Sequence, residues 1–253
     1  MSKVFNGTTD FAFSTTGSPS PSGPMSCAVW FNKDALSVSS WVMTEKNATG
    51  NYYRGLLLGM NGYAYAYWRG FDTRNVQSTN TYSAGSWNLL GGTWLYKNVV
   101  SVILNGTIVT NQQYSNGGST PYAAIGAYIT GSNKFDGKMF WFAKWNVVLS
   151  SADWASLYAG ASPLVVRPDA LAQFCAFGGL DANNNTDIVG GYTLADQGGT
   201  SWSDSSPTGL IYPSQQIIGV SQGIITPPPQ HNQRQILLKN KMSIQNSRLL
   251  IGK

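Results

Sequence analysis

Val99-Val100-Ser101-Val102-Ile103-Leu104-Asn105-Gly106-Thr107-Ile108-Val109-Thr110 decides the fold class. A β-branched run meets Asn-Gly, and a second β-branched run leaves it. β-Branched side chains suit a pleated surface. Asn and Gly both tolerate φ > 0, as a two-residue hairpin turn requires. The stretch therefore predicts two antiparallel strands joined at Asn105-Gly106.

Period-two alternation continues on both sides of this hairpin. In Met25 to Asn32, the residues Met25, Cys27, Val29 and Phe31 point one way. From Gly62 to Arg69, Tyr63, Tyr65 and Tyr67 share one face, and Ala64, Ala66 and Trp68 share the other. Phe135 to Trp145 is the heaviest strand, with Met139, Trp141, Ala143 and Trp145 set against Phe140, Phe142 and Lys144. Turn clusters such as Ser115-Asn116-Gly117-Gly118-Ser119 separate the runs, which indicates a sandwich or barrel. One helix stands out: Ser150 caps it, Asp153 completes a capping box, and Gly160 stops it. Trp154, Leu157 and Tyr158 form its packing face. Beyond it, Leu171 to Phe177 and Tyr192 to Leu194 again read as strands.

The 253 residues suffice for one large sandwich, with charged residues at only 11% and aromatics at 13%. Such an aromatic load excludes a disordered chain, and no apolar run approaches the length of a membrane span. The N-terminus enters strand-like sequence directly, which predicts a chain made and folded in a cytoplasm. Cys27 and Cys175, both in alternating apolar segments, fit small buried thiols there.

Charge is concentrated at one end. Residues 1–220 carry eleven Lys/Arg and eleven Asp/Glu, whereas 221–253 carry Arg234, Lys239, Lys241, Arg248 and Lys253 and no acid. Pro227-Pro228-Pro229 stiffens a linker ahead of this segment. Its cations alternate with Ile236, Leu237, Leu238, Leu249 and Leu250, a pattern suited to an arm that docks on an acidic, partly apolar protein surface. Phosphate neutralisation on a nucleic acid is the weaker reading of the same charges.

Several segments, in order, resemble the laminin-G-like, concanavalin-A-like jelly roll of lectin-type modules. Val4-Phe5-Asn6-Gly7 through Phe11 looks like the family's opening strand, and Met25 to Asn32 its Trp-bearing next strand. Trp87 to Trp94 resembles the Trp-led central strand, and Val102 to Gly106 the family hairpin. Phe135-Asp136-Gly137-Lys138-Met139, Trp145 to Ser150 and Leu157 to Gly160 resemble the closing strand and helix. In one departure, Phe174 to Gly179 and Asp187 to Gly191 look like segments the family places before its opening strand. The resemblance thus implies that 171–204 complete the same sandwich in permuted order. The expectation is an all-β concanavalin-A-like jelly-roll β-sandwich over 1–204, with one short helix at about 150–159 and an extended basic arm over 205–253.

Jelly rolls of this kind include glycosidases, which need two carboxylates flanking the bond. This chain has one glutamate, Glu45, beside Lys46 in an expected loop. Its single histidine, His231, sits in the Pro-flanked tail, so neither a nucleophilic triad nor a zinc site is expected. The expectation is a non-enzymatic protein without cofactor. Calcium on Asp10 and Asp136 is the alternative the resemblance raises, set against ordinary turn chemistry for an Asp before Gly. The Tyr63, Tyr65, Tyr67 stripe, taken with Trp68, offers a glycan-stacking or subunit-contact face.

The arrangement further resembles jelly-roll proteins of tailed-phage virions. That implies a virion location as a capsid decoration or a neck, tail or fibre subunit, present as a homo-oligomer or in many copies. Major capsid protein or a neck or tail protein would be the partner, held through the arm residues Arg234 to Leu250, with no membrane contact. The alternative is a carbohydrate-binding, lectin-like module.

Overall fold

The computed structural model describes residues 2–14, 23–46, 53–69, 73–95, 99–112, 122–128, 130–177, 187–190, 194–198 and 201–208. The basic segment, with Arg234, Ile236, Leu237, Leu238, Lys239, Lys241, Arg248, Leu249 and Leu250, lies outside the described residues, as does His231. In chain order the strands are β1 (Ser2–Asn6), β2 (Phe11–Ser14), β3 (Met25–Lys33), β4 (Ser40–Lys46), β5 (Tyr53–Leu58), β6 (Tyr63–Arg69), β7 (Thr73–Thr81) and β8 (Asn88–Leu95). They continue with β9 (Val99–Leu104), β10 (Thr107–Gln112), β11 (Tyr122–Ile125) and β12 (Asp136–Trp145), then α1 (Ser151–Tyr158), β13 (Leu171–Cys175), β14 (Ala195–Gln197) and β15 (Ser201–Ser203).

Two antiparallel sheets result. One runs β10-β9-β8-β3-β12-β1-β15, with β13 also paired to β12; the other runs β14-β2-β11-β4-β5-β6-β7. The expected hairpin is present, with Leu104 opposite Thr107 and positive φ at Asn105 (50°) and Gly106 (80°). The Asn105 amide also pins the turn to β8, accepting from the Leu89 N–H at 2.9 Å and donating to Asn88 Oδ1 at 2.9 Å.

The inward faces of both sheets form the core, including Val29, Phe31, Leu56, Ala66, Leu90 and Trp94. Trp94 spans it: its indole N–H donates to the Tyr67 carbonyl on the opposite sheet at 3.0 Å. A second apolar layer covers the outer face of the eight-stranded sheet, where Trp154 and Leu157 of α1 and Val166 pack on Trp30, Trp141 and Trp145. The expected capping box is formed by Ser150 and Asp153. Tyr158 stays half-exposed, stacked on Trp30 at 6.3 Å, where a buried position was expected. Gly91 is required here, because a β-carbon at that position would collide with the Trp154 ring.

The alternation expected along Phe135–Trp145 holds only in part. A β-bulge between Met139 and Trp141 inserts Phe140 as an extra residue against β3. The phase therefore flips: Met139 and Phe142 enter the core, while Phe140, Trp141, Ala143 and Trp145 join the outer layer.

The late strands join both sheets. β13 pairs with β12, β15 with β1, and β14 with β2. Asp187 ties this region down, its carboxylate accepting from the N–H groups of Phe174, Val189 and Gly190 at 2.8, 3.0 and 2.9 Å. Of the strand expected at Tyr192–Leu194, residues 192–193 lie outside the described residues; β14 follows directly after Leu194. Past β15 the chain still touches the sandwich, where the Ser205 hydroxyl accepts the Trp87 indole N–H at 3.2 Å.

Glu45 is corrected most sharply. The expected loop is part of β4, and Glu45 is 1% exposed in the sandwich interior. One carboxylate oxygen accepts from Arg54 Nε at 2.6 Å and the other from Lys144 Nζ. Burial works to raise the Glu45 pKa, but the two cations and their hydrogen bonds hold it below its ordinary value. For Lys144 burial prevails, and its pKa is lowered despite the attraction of Glu45.

Candidate functional site

The outer face of the seven-stranded sheet carries a third, smaller cluster, separate from the core and from the layer under α1. It is built on β6. Strict alternation there sends Ala64, Ala66 and Trp68 into the core and leaves Tyr63, Tyr65 and Tyr67 half-buried on the outside. Trp68 therefore does not belong with the tyrosines as a surface residue; it is 8% exposed and packed in the sandwich interior. The period of two makes this unavoidable for a residue next to Tyr67.

Neighbouring strands supply what the stripe alone lacks. Trp41 on β4 and Tyr53 and Leu57 on β5 lie on the same face at only 7–8% exposure and form its floor. Tyr128, just past β11, closes over them. Ring centroids lie 5.1 Å apart for Trp41–Tyr67, 5.4 Å for Trp41–Tyr128, 5.6 Å for Tyr53–Tyr128 and 6.2 Å for Tyr65–Tyr67. These separations fall within the range of favourable aromatic pairs. Gly55 sits between Tyr67 and Thr44 in the ladder. A β-carbon there would lie 2.9 Å from Trp41 Cζ3, so glycine is what lets the indole settle onto the sheet.

Polar groups border this aromatic surface. Asn75 and Gln77, both exposed on β7, stand opposite Tyr67 and Tyr65. Tyr67 is hydrogen-bonded to Asn75; burial raises its pKa and the bond to Asn75 opposes that rise. At the other end of Tyr65, Asn61 Nδ2 donates to the phenol oxygen at 3.1 Å. The result is a shallow aromatic face edged by neutral amides. Chemically it can stack against the apolar C–H face of a ring and exchange hydrogen bonds with hydroxyl groups.

The other sequence candidates do not join this site. Asp10 is buried in the β1–β2 turn, where its carboxylate accepts from the Thr9 hydroxyl at 2.9 Å and from the Asn6 N–H at 3.3 Å. Asp136 opens β12 beside the same turn, close to Gly7. Among the described residues no third acidic, His or Cys side chain joins them in a metal-binding group. Asp10 thus serves the turn with its own hydrogen bonds. Cys27 and Cys175 are free and buried, and burial pushes both thiols up, away from reactivity.

Sequence reasoning found the tyrosine stripe but not Trp41, Tyr53 or Tyr128. Trp41 lies in Ser40-Trp41-Val42-Met43, apolar at three successive positions, and β4 changes register between Trp41 and Met43. Alternation therefore could not assign its face. Tyr53 gave no better signal, since its neighbour Arg54 turns inward to Glu45 and the pairing of β5 with β6 is not visible in the sequence.

Comparison with known proteins matches this architecture. Residues 6–153 fit the family described as the concanavalin A-like lectin/glucanases superfamily. No curated protein sequence matches the chain. A candidate carbohydrate-binding protein from Bacteroides ovatus superposes with TM-score 0.60 at 15% identity, over 81% of this chain and 60% of its own. The CBM40 of Ruminococcus gnavus IT-sialidase, bound to α2,3-sialyllactose, gives TM-score 0.52 at 11% identity, over 62% of this chain and 96% of its own. The native heptameric SAP-like pentraxin of Limulus polyphemus gives TM-score 0.51 at 12% identity, over 62% and 81%. Identities this low speak to fold alone. With its paired antiparallel sheets and a family match over more than half its length, the chain belongs to the concanavalin A-like lectin/glucanase superfamily.

Proposed function

We propose that this protein is a non-enzymatic, lectin-like module that binds carbohydrate on the outer face of its seven-stranded sheet. One observation carries the reading: Tyr65, Tyr67 and Tyr128 are only partly buried above a floor of Trp41, Tyr53 and Leu57, with Asn75 and Gln77 exposed beside them. The opposite sheet buries its outer aromatics under α1; this one leaves Tyr65, Tyr67 and Tyr128 partly accessible. Tyr offers a rigid, apolar ring with a polar tip, which suits a ligand that is apolar on its faces and polar at its edges. Support also comes from the shared fold of the Ruminococcus gnavus module and its bound sialyllactose.

The position of Glu45 supports binding without hydrolysis. The only glutamate of the chain is enclosed in the sandwich with both oxygens engaged by Arg54 and Lys144. It cannot serve as acid, base or nucleophile on a surface glycan. Among the described side chains of the tyrosine face no carboxylate is present to form the pair that glycoside cleavage uses. The fold shared with carbohydrate-binding modules favours the glycan reading over the virion one.

A printed array of neutral, N-acetylated and sialylated oligosaccharides tests the proposal. The wild-type protein should bind at least one class, and Tyr65→Ala or Tyr67→Ala should weaken that binding by about tenfold, on the order of 1.4 kcal/mol. Absence of binding across the array, or full binding by the double alanine variant, overturns it.

A further inference from the structure

The turn between β5 and β6 determines the hydrogen-bonding sense of Tyr65. Two backbone bonds close this turn, from the Gly59 N–H to the Tyr63 carbonyl at 2.8 Å and from the Gly62 N–H to the Gly59 carbonyl at 3.1 Å. Gly62 takes φ 81° within it. Asn61 sits at its tip with both ends of its amide in use. Its Oδ1 accepts from the Tyr63 N–H at 3.3 Å, and its Nδ2 donates to the Tyr65 phenol oxygen at 3.1 Å. A backbone N–H can only donate, so the amide must turn its oxygen toward Tyr63 and its NH2 toward Tyr65. A phenol oxygen that already accepts from an amide NH2 keeps its own proton for another partner. Gly59 leaves room for the arrangement, since a β-carbon there would lie 2.5 Å from Asn61 Oδ1 and 2.8 Å from Tyr65 Cε2.

We infer that Asn61 is a positioning residue that presents the Tyr65 phenol to the bound glycan as a hydrogen-bond donor, so that an acceptor oxygen of the sugar must face Tyr65. This rests on the carbohydrate-binding reading of the tyrosine face. Gln77 stands opposite Tyr65 in the ladder, and Tyr67 is turned to Asn75.

Asn61→Asp is the decisive change because it is nearly isosteric and reverses the bond. The introduced carboxylate still accepts from the Tyr63 N–H but has no proton to give, so the Tyr65 phenol turns inward and donates to it. On the neutral, N-acetylated and sialylated oligosaccharide array, Asn61→Asp should weaken binding about three- to tenfold, matching Tyr65→Phe. The double variant Asn61→Asp/Tyr65→Phe should lose no more than either single one, because both remove the same donated proton. A purely structural role for Asn61 would give additive losses and a lowered Tm. A second, ligand-free measurement uses protein labelled with 13Cζ tyrosine, the Tyr65 resonance being assigned by its loss in Tyr65→Phe. That resonance should shift in Asn61→Asp as the phenol changes from acceptor to donor. An unmoved resonance overturns the inference, as does wild-type binding by Asn61→Asp in a protein whose Tyr65→Ala variant has lost binding. Undiminished binding by Tyr65→Ala would instead refute the site reading itself.

Discussion

Replacing Glu45 by glutamine probes the interior of the sandwich directly. The substitution keeps the side-chain volume and one acceptor oxygen but removes the charge that Arg54 and Lys144 share. Lys144 is fully buried and Arg54 is 4% exposed, so neither cation can turn to water without opening the sheets. The three residues come from β4, β5 and β12, on opposite sheets, so the pairing bridges the sandwich. Breaking a buried ion pair by removing one partner costs about 3–5 kcal/mol, because the remaining charge stays desolvated. For a domain of this size, each kcal/mol moves Tm by about 2–4 °C, so a fall of roughly 6–20 °C is expected. Urea unfolding followed by tryptophan fluorescence, with calorimetry alongside, measures both quantities. Unfolding midpoints should drop with the m-value unchanged. The triple variant Glu45→Leu/Arg54→Met/Lys144→Met should recover most of the loss or exceed wild type, since well-packed apolar replacements avoid the desolvation penalty. A Glu45→Gln protein within about 1 kcal/mol of wild type would refute the argument, because the cations would then have found water or other partners.

Further outcomes follow from the same geometry. Because the folded pKa of Glu45 is depressed, its stabilising share is full above the unfolded value of about 4.3 and drains as pH falls through the folded value. Urea midpoints between pH 6 and 3 should therefore fall more steeply in wild type than in the triple apolar variant, and equal slopes would count against it. Lys144, also depressed, acts in the alkaline range: it costs stability while protonated, and that cost is relieved as pH rises toward about 10.4. Gly91→Ala forces a methyl against the Trp154 ring and should destabilise by about 1–3 kcal/mol, measured by urea unfolding. Deleting residues 221–253 should leave Tm and oligosaccharide binding unchanged, since the last strand among the described residues ends at Ser203.

How much of this was readable beforehand depended on whether one strand face was polar. On β6, tyrosine and alanine alternate without interruption, and the tyrosine face, the inward alanines and the inward Trp68 all follow from the period. The Asn105-Gly106 turn and the Ser150–Asp153 capping box were legible for a similar reason, being local chemistry that needs no distant partner. β12 and β4 defeat the same reasoning because both of their faces are buried, one under the opposite sheet and one under added layers. With apolar residues on either side, a bulge at Phe140 or near Trp41 leaves no mark in the sequence, yet it reverses every side chain beyond it. Glu45 was misread through the same gap. A charged residue beside Lys46 looks solvated until Arg54 and Lys144 are known to meet it, and Lys144 is 99 residues away in the chain. The binding face thus divides by origin. Its exposed rim on β6 is written in local alternation, while its floor of Trp41 and Tyr53 depends on strand pairing and on the absent side chain at Gly55. Substitutions on the rim should therefore change affinity with little effect on stability, whereas those at Gly55 or Trp41 should change both, because there the aromatic face and the packing of the sheet are the same atoms.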